Sequence, residues 1–104
     1  MGFCLFNNIA VGALHARIAC RFQRIAVIDF DVHHGNGTQA MFEGDPDLFF
    51  ASTHQSFLFP ATGREDERGI GNIVNVPLAR GWGKSEFRRE FSTKVVPEVA
   101  AFKP

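Results

Sequence analysis

The stretch that most restricts the fold is RIAVIDFDVHHGNGTQ, residues 24–39. Ile25, Ala26, Val27 and Ile28 are apolar without alternation, the pattern of a strand buried on both faces in a parallel sheet. Asp29, Asp31 and His33 follow at alternate positions. In an extended chain such positions share a face, so the three ionisable groups are expected to converge at the carboxyl end of the strand. Buried unpaired charge is too costly to persist, so the cluster needs partners, either side chains or a metal ion. The HHGNG that follows is turn chemistry, with Gly35, Asn36 and Gly37 offering positions that tolerate positive φ.

The remaining chain alternates strands and helices. Asn7 or Asn8 can cap a helix running over IAVGALHARIACRF, residues 9–22. A short helix is expected over residues 38–44, ended by GDPD, and LFFAST (48–53) reads as a second buried strand. His54 to Asn72 reads as one long loop, a length that in compact domains is often functional. IVNVPL (73–78) reads as a third strand. SEFRREFSTKVVPEVAAF (85–102) has helical period, kinked or divided at Pro97. This order makes the fold class α/β, with about three strands, too few for a convincing complete sheet. The chain therefore reads as incomplete.

Composition removes several functions. Eleven Lys and Arg balance eleven Asp and Glu, which leaves no footprint for nonspecific nucleic-acid binding. No apolar run approaches the ~20 residues of a membrane span, and MGFCLFNN lacks the cationic start of a secretory signal. Cys4 and Cys20 have neither disulfide-framework nor zinc-finger spacing and read as buried thiols in a reducing cytoplasm. Twelve phenylalanines accompany no tyrosine, so chemistry needing a phenol cannot be completed by this chain.

Open α/β sheets place ligands at the carboxyl ends of their strands. A carboxylate and an imidazole suit zinc at ~2.0–2.2 Å, and catalytic zinc takes three protein ligands plus an open position. Asp31 and His33 supply two; Asp29, one step deeper, is better placed to orient a histidine. Two other readings fit the same residues: an Asp–His pair that only caps the turn, with Asp29 paired to an arginine, or magnesium-bound phosphate chemistry.

Taken with GFCLFNN, STHQSFLFPATG and GNIVNVPL, the DVHHGNGTQ segment resembles the histone deacetylase superfamily over essentially the whole chain. The resemblance is strongest to bacterial and class II-like members, beside acetoin-utilisation proteins and acetylpolyamine amidohydrolases. It implies part of an open, mostly parallel sheet with helices on both faces, of arginase/deacetylase type, with residues 1–104 its central portion. By position, Asp31 and His33 match two zinc ligands, and Asp29 and Asn36 match groups that orient active-site histidines. Carbonyls of Asp29, Asp31 and His33, with Ser52 and Thr53, match a structural potassium site. Gly2, Phe3 and Phe59 match the walls of a tunnel for an acyl-lysine. His34 matches no ligand and reads as a hydrogen-bonded supporting residue, while His15 and His54 read as structural.

The implied activity is metal-dependent hydrolysis of the acetyl amide of acetyl-lysine or an acetylated small amine, in the cytoplasm, with zinc or another divalent transition metal. The family's tandem histidines, third zinc ligand and tyrosine have no counterpart here, and Ala61 stands where a glycine commonly follows the tunnel proline. An alternative in another class is an inactive truncated remnant that binds only metal or partner subunits. An arginase-like manganese site would want a further aspartate where DVHHGNG has glycine and asparagine.

Overall fold

The computed structural model describes residues 4–104, so Gly2 and Phe3 lie outside the described residues. Helix α1 (Asn8–Ile18) begins at an Asn7 cap, whose side chain accepts the Ala10 N–H at 3.0 Å. Asn7 also donates to Thr38 Oγ1 at 2.9 Å, tying the start of α1 to the segment after the turn. The helix stops four residues before the expected Phe22. Arg21 takes a left-handed φ of 59°, and the Phe22 N–H returns to the Ala16 carbonyl at 3.1 Å. A left-handed residue followed by such a back-bond ends a helix.

Three parallel strands, β1 (Ile25–Asp29), β2 (Leu48–Gln55) and β3 (Ile73–Leu78), lie in the order β1-β2-β3. The register sets Asp29 beside Ser52 and His54 beside Pro77. Successive residues of β2 face opposite ways. Leu48 and Phe50 pack with Ala10 and Ala13 of α1, Phe42 of α2 (Asn36–Phe42) and Ile73. On the other face, Phe49 and Ala51 pack with Val74, Val76 and Val95, backed by Phe91, Val99 and Phe102. The α/β sheet with helices on both faces is thus what forms. β2, in the middle, is buried from Leu48 to His54. β1 is only half-buried, because among the described residues nothing pairs with its outer edge.

Several details differ from expectation. β2 runs two residues further, to Gln55, because β3 continues beside it through Pro77 and Leu78. His54 is therefore a strand residue, and the loop starts at Ser56. The turn after His34 is shorter, since Asn36 already begins α2. The last helix is divided into α3 (Lys84–Glu90), a wide π-type turn over Phe91–Val95 and α4 (Val96–Phe102). Pro97 sits in the first turn of α4, where its missing N–H matters least. Cys4 and Cys20 are exposed, not buried. Both thiols lie outside α1, Cys4 before it and Cys20 after it, and of α1 only Ala10 and Ala13 are buried. No described helix is long and apolar enough to cross a membrane.

Candidate functional site

After Asp29 the chain leaves the extended conformation, so the simple alternation expected for Asp29, Asp31 and His33 does not continue. Two side-chain turns replace it. Asp29 Oδ1 accepts the Asp31 N–H at 3.0 Å, and Asp31 Oδ1 accepts the His33 N–H at 2.7 Å. Aspartates make such turns readily by bonding their own backbone two residues on. The result brings Asp31 Oδ1 and His33 Nδ1 to 3.1 Å, with side chains 65 % and 47 % exposed. The His33 N–H, above all, holds the Asp31 carboxyl below its ordinary value of 3.8.

Asp29 points elsewhere. A Cβ added to Gly35 would meet its Oδ2 at 2.6 Å and the Phe50 ring at 3.0 Å. Gly35 is needed for close approach rather than for positive φ, since its φ is −79°. No lysine or arginine pairs with Asp29 among the described residues. Asn36 is exposed at the first position of α2, its N–H on the His34 carbonyl at 3.0 Å. Thr53 Oγ1 lies 3.5 Å from the Asp29 carbonyl, and the Gln55 N–H donates to the Val32 carbonyl at 2.9 Å. Asp29, Ser52 and Thr53 are thereby neighbours at the strand ends. His15 is exposed on α1.

Two donors 3.1 Å apart are close enough for one ion to touch both at the ~2.0–2.2 Å of zinc–oxygen and zinc–nitrogen bonds. Asp31 and His33 therefore fit as two of the three ligands of such an ion. No described group of three His, Cys, Asp or Glu could hold a metal by itself.

Behind the exposed pair lies a buried polar network that the sequence reading did not assemble. His34 is 3 % exposed; its Nδ1 meets Thr62 Oγ1 at 2.8 Å and its Nε2 meets Gln39 Oε1 at 2.9 Å. Its ring lies 4.8 Å from that of His54. His54 Nε2 donates to the Gly63 carbonyl at 2.9 Å, and Nδ1 meets the Ser52 hydroxyl at 3.0 Å. Burial pushes the His54 imidazole below its ordinary value, which keeps the ring neutral. Gly63 has φ 84°, and a Cβ there would sit 2.6 Å from the His34 ring and 2.7 Å from that of His54. Phe59 is 72 % exposed on the same loop, joined to Pro60 by a cis peptide. Ala61 itself adopts φ 62°, so the loop keeps the left-handed turn where glycine is the common choice. Gln55, Ser56, Phe57, Leu58 and Arg80 line an open cleft of about 570 Å³ beside it.

The Histone deacetylase domain family matches residues 1–104. This chain belongs to the histone deacetylase family. It is 46 % identical over 108 residues to the chloroplastic histone deacetylase 14 of Arabidopsis thaliana, covering 100 % of this chain and 26 % of that protein. It is 42 % identical over 109 residues to a histone deacetylase-like amidohydrolase of Pseudomonas aeruginosa, covering 100 % of this chain and 29 % of that protein. Its fold matches an acetylpolyamine aminohydrolase from Burkholderia pseudomallei with a TM-score of 0.91 at 35 % identity, over 99 % of this chain and 31 % of that one. This histone deacetylase family chain spans between a quarter and a third of these relatives' lengths.

In this family member the sequence pointed to the residues at the strand ends but missed Gln39, Thr62, Gly63, Glu67 and Asn75. Glu67 sits within the charged run REDER and Gly63 within ATGRE, where composition reads as exposed loop. Only the fold brings them under the His34 ring.

Proposed function

We propose that residues 1–104 are the central portion of a deacetylase catalytic domain that hydrolyses the acetyl amide of acetyl-lysine or of an acetylated polyamine. The observation that carries this reading is the exposed Asp31–His33 pair, 3.1 Å apart at the carboxyl end of β1. Asp31 and His33 would hold zinc or another divalent transition metal, completed by one ligand from outside this chain. Bound there, the metal supplies Lewis-acid polarisation of the amide carbonyl and acidification of water. Asp31 stays ionised because the His33 N–H favours its charged form. Asp29 and Asn36 orient histidines contributed from outside this chain, Asp29 from its seat over Gly35.

The Asp29, Asp31 and His33 carbonyls, with Ser52 and Thr53, form the assigned potassium site; the Thr53 hydroxyl beside the Asp29 carbonyl supports it. Phe59, exposed on its loop, is one wall of a slot for a long, thin, neutral acyl chain, and Gly2 and Phe3, outside the described residues, are assigned to the rest. The likeness to an acetylpolyamine aminohydrolase on one side and to histone deacetylases on the other supports an acetylated amine as substrate. The cytoplasm is the assigned compartment, a reducing one in which the exposed Cys4 and Cys20 stay unpaired.

The test uses the complete protein that carries this segment, with metal analysis beside turnover of an acetyl-lysine peptide and an acetylated polyamine. Asp31→Ala and His33→Ala each remove stoichiometric metal and nearly all turnover. Unchanged metal content in both variants would refute the assignment.

A further inference from the structure

The network, buried at His34, Gln39 and Asn75 and partly exposed at Thr62 and Glu67, has a direction, and it ends on a residue the proposed chemistry does not use. Glu67 Oε2 accepts from Gln39 Nε2 at 2.9 Å and from the Gly63 N–H at 3.2 Å. An ionised carboxylate only accepts, so Gln39 must turn its amide nitrogen to Glu67 and its oxygen away. That oxygen receives Asn75 Nδ2 at 2.8 Å and His34 Nε2 at 2.9 Å. With Nε2 on the Gln39 oxygen, His34 Nδ1 meets the Thr62 hydroxyl at 2.8 Å. Asn75 closes the set by donating to the Glu67 carbonyl at 3.2 Å.

Each member belongs to a different part of the site. His34 follows His33 directly, Gln39 is on α2, Asn75 is on β3, and Thr62 and Gly63 close the turn after Phe59 and Pro60. Gly63 is held at both backbone groups, its N–H by Glu67 and its carbonyl by His54. Ordering a loop without regular structure costs conformational entropy at every residue. Hydrogen bonds to an ionised acceptor are the strong ones available to offset it. Burial alone would push the Glu67 carboxyl up, but the Gln39, Arg64 and Gly63 hydrogen bonds outweigh it and hold the group below its ordinary value.

We propose that Glu67 is a positioning residue for substrate binding: through Gly63, Gln39 and His34 it fixes the segment carrying Phe59 against the turn carrying Asp31 and His33. The inference rests on the deacetylase reading for the substrate, and on the hydrogen bonds alone for the positioning.

In the complete protein, Glu67→Ala raises KM for the acetylated substrate by roughly 10–100-fold, the scale expected when a positioning contact is lost. Metal content and kcat stay within about twofold of the parent, since Glu67 touches neither donor. Glu67→Gln keeps an acceptor oxygen in place and restores KM to within about threefold, as a neutral acceptor still completes both hydrogen bonds. Thr62→Val preserves shape, removes only the link to His34, and gives a smaller rise in KM; it serves if Glu67→Ala fails to fold. Limited trypsin digestion reads the loop without any substrate: cleavage after Arg64 and Arg68 is faster in Glu67→Ala and Thr62→Val, and near the parent rate in Glu67→Gln. A lowered melting temperature with unchanged KM would overturn the proposal, as would equal digestion rates in all variants. A parent protein with no deacetylase turnover would overturn the substrate assignment, and digestion would still decide whether Glu67 holds the loop.

Discussion

His33 and His34 are neighbours with the same side chain, yet the first is 47 % exposed at its side chain and the second is 3 % exposed as a residue. Both His34 ring nitrogens find partners within this chain, Thr62 and Gln39. The His33 ring meets only Asp31 among the described residues. A ring satisfied on both nitrogens has nothing left to offer a ligand, whereas a ring beside one exposed carboxylate keeps its coordinating capacity. The difference separates two tasks that the sequence prints side by side. One residue ties the loop to α2, and the other faces outward beside Asp31, as the proposed metal site requires.

The largest expected effect breaks the buried half. Gly63→Ala places a Cβ against both imidazoles at a φ of 84° and should destabilise by roughly 3 kcal/mol or more, read as a lowered midpoint in chemical denaturation. Gly35→Ala tests the join between the halves, since the added carbon displaces Asp29 Oδ2 and meets Phe50. It should cost about 1–3 kcal/mol by overpacking, with a loss of turnover beyond what the unfolded fraction explains. Asp29→Asn acts on the exposed half alone: metal stays bound while turnover falls ~10–100-fold, as measured by metal analysis beside kcat. Loss of metal equal to that of Asp31→Ala would make Asp29 a ligand.

The smallest effect comes from a pair outside both halves. Arg17 Nη1 meets Asp45 Oδ2 at 2.6 Å on the opposite end of the sheet. The Asp47 N–H first, and Arg17 second, hold the Asp45 carboxyl below its ordinary 3.8. A lowered folded-state value means the stabilisation is present above the unfolded value and is lost as pH falls through the lower folded one. Asp45→Asn should therefore cost about 0.5–1 kcal/mol near neutral pH. The gap to the parent should close as the pH is taken below the folded-state value, without change in metal content.

The strand in RIAVIDF was legible because a run of β-branched apolar residues leaves a local pattern, although β1 is only half-buried. The Asn7 cap was legible for the same local reason, and Pro97 marked a break in the last helix, though the break falls just ahead of it at Phe91–Val95. What was not legible depended on contacts distant in sequence. β2 gains His54 and Gln55 only because β3 runs beside them. α1 loses its last expected turn to Arg21, a residue whose identity gives no sign of a left-handed φ. Glu67 reads as one more solvated charge until Gln39, 28 residues away, is brought against it. Cys4 and Cys20 were expected inside because thiols usually are, but both are exposed, one on each side of α1.

Zinc stoichiometry measured side by side in His33→Ala and His34→Ala of the complete protein bears most directly on this division. His33→Ala should lose bound zinc and keep the denaturation midpoint of the metal-free parent. His34→Ala should keep zinc while losing roughly 2–4 kcal/mol of stability, because Gln39 and Thr62 lose their partner and a cavity opens beneath Gly63. The opposite pattern, with zinc lost in His34→Ala and retained in His33→Ala, would contradict the account.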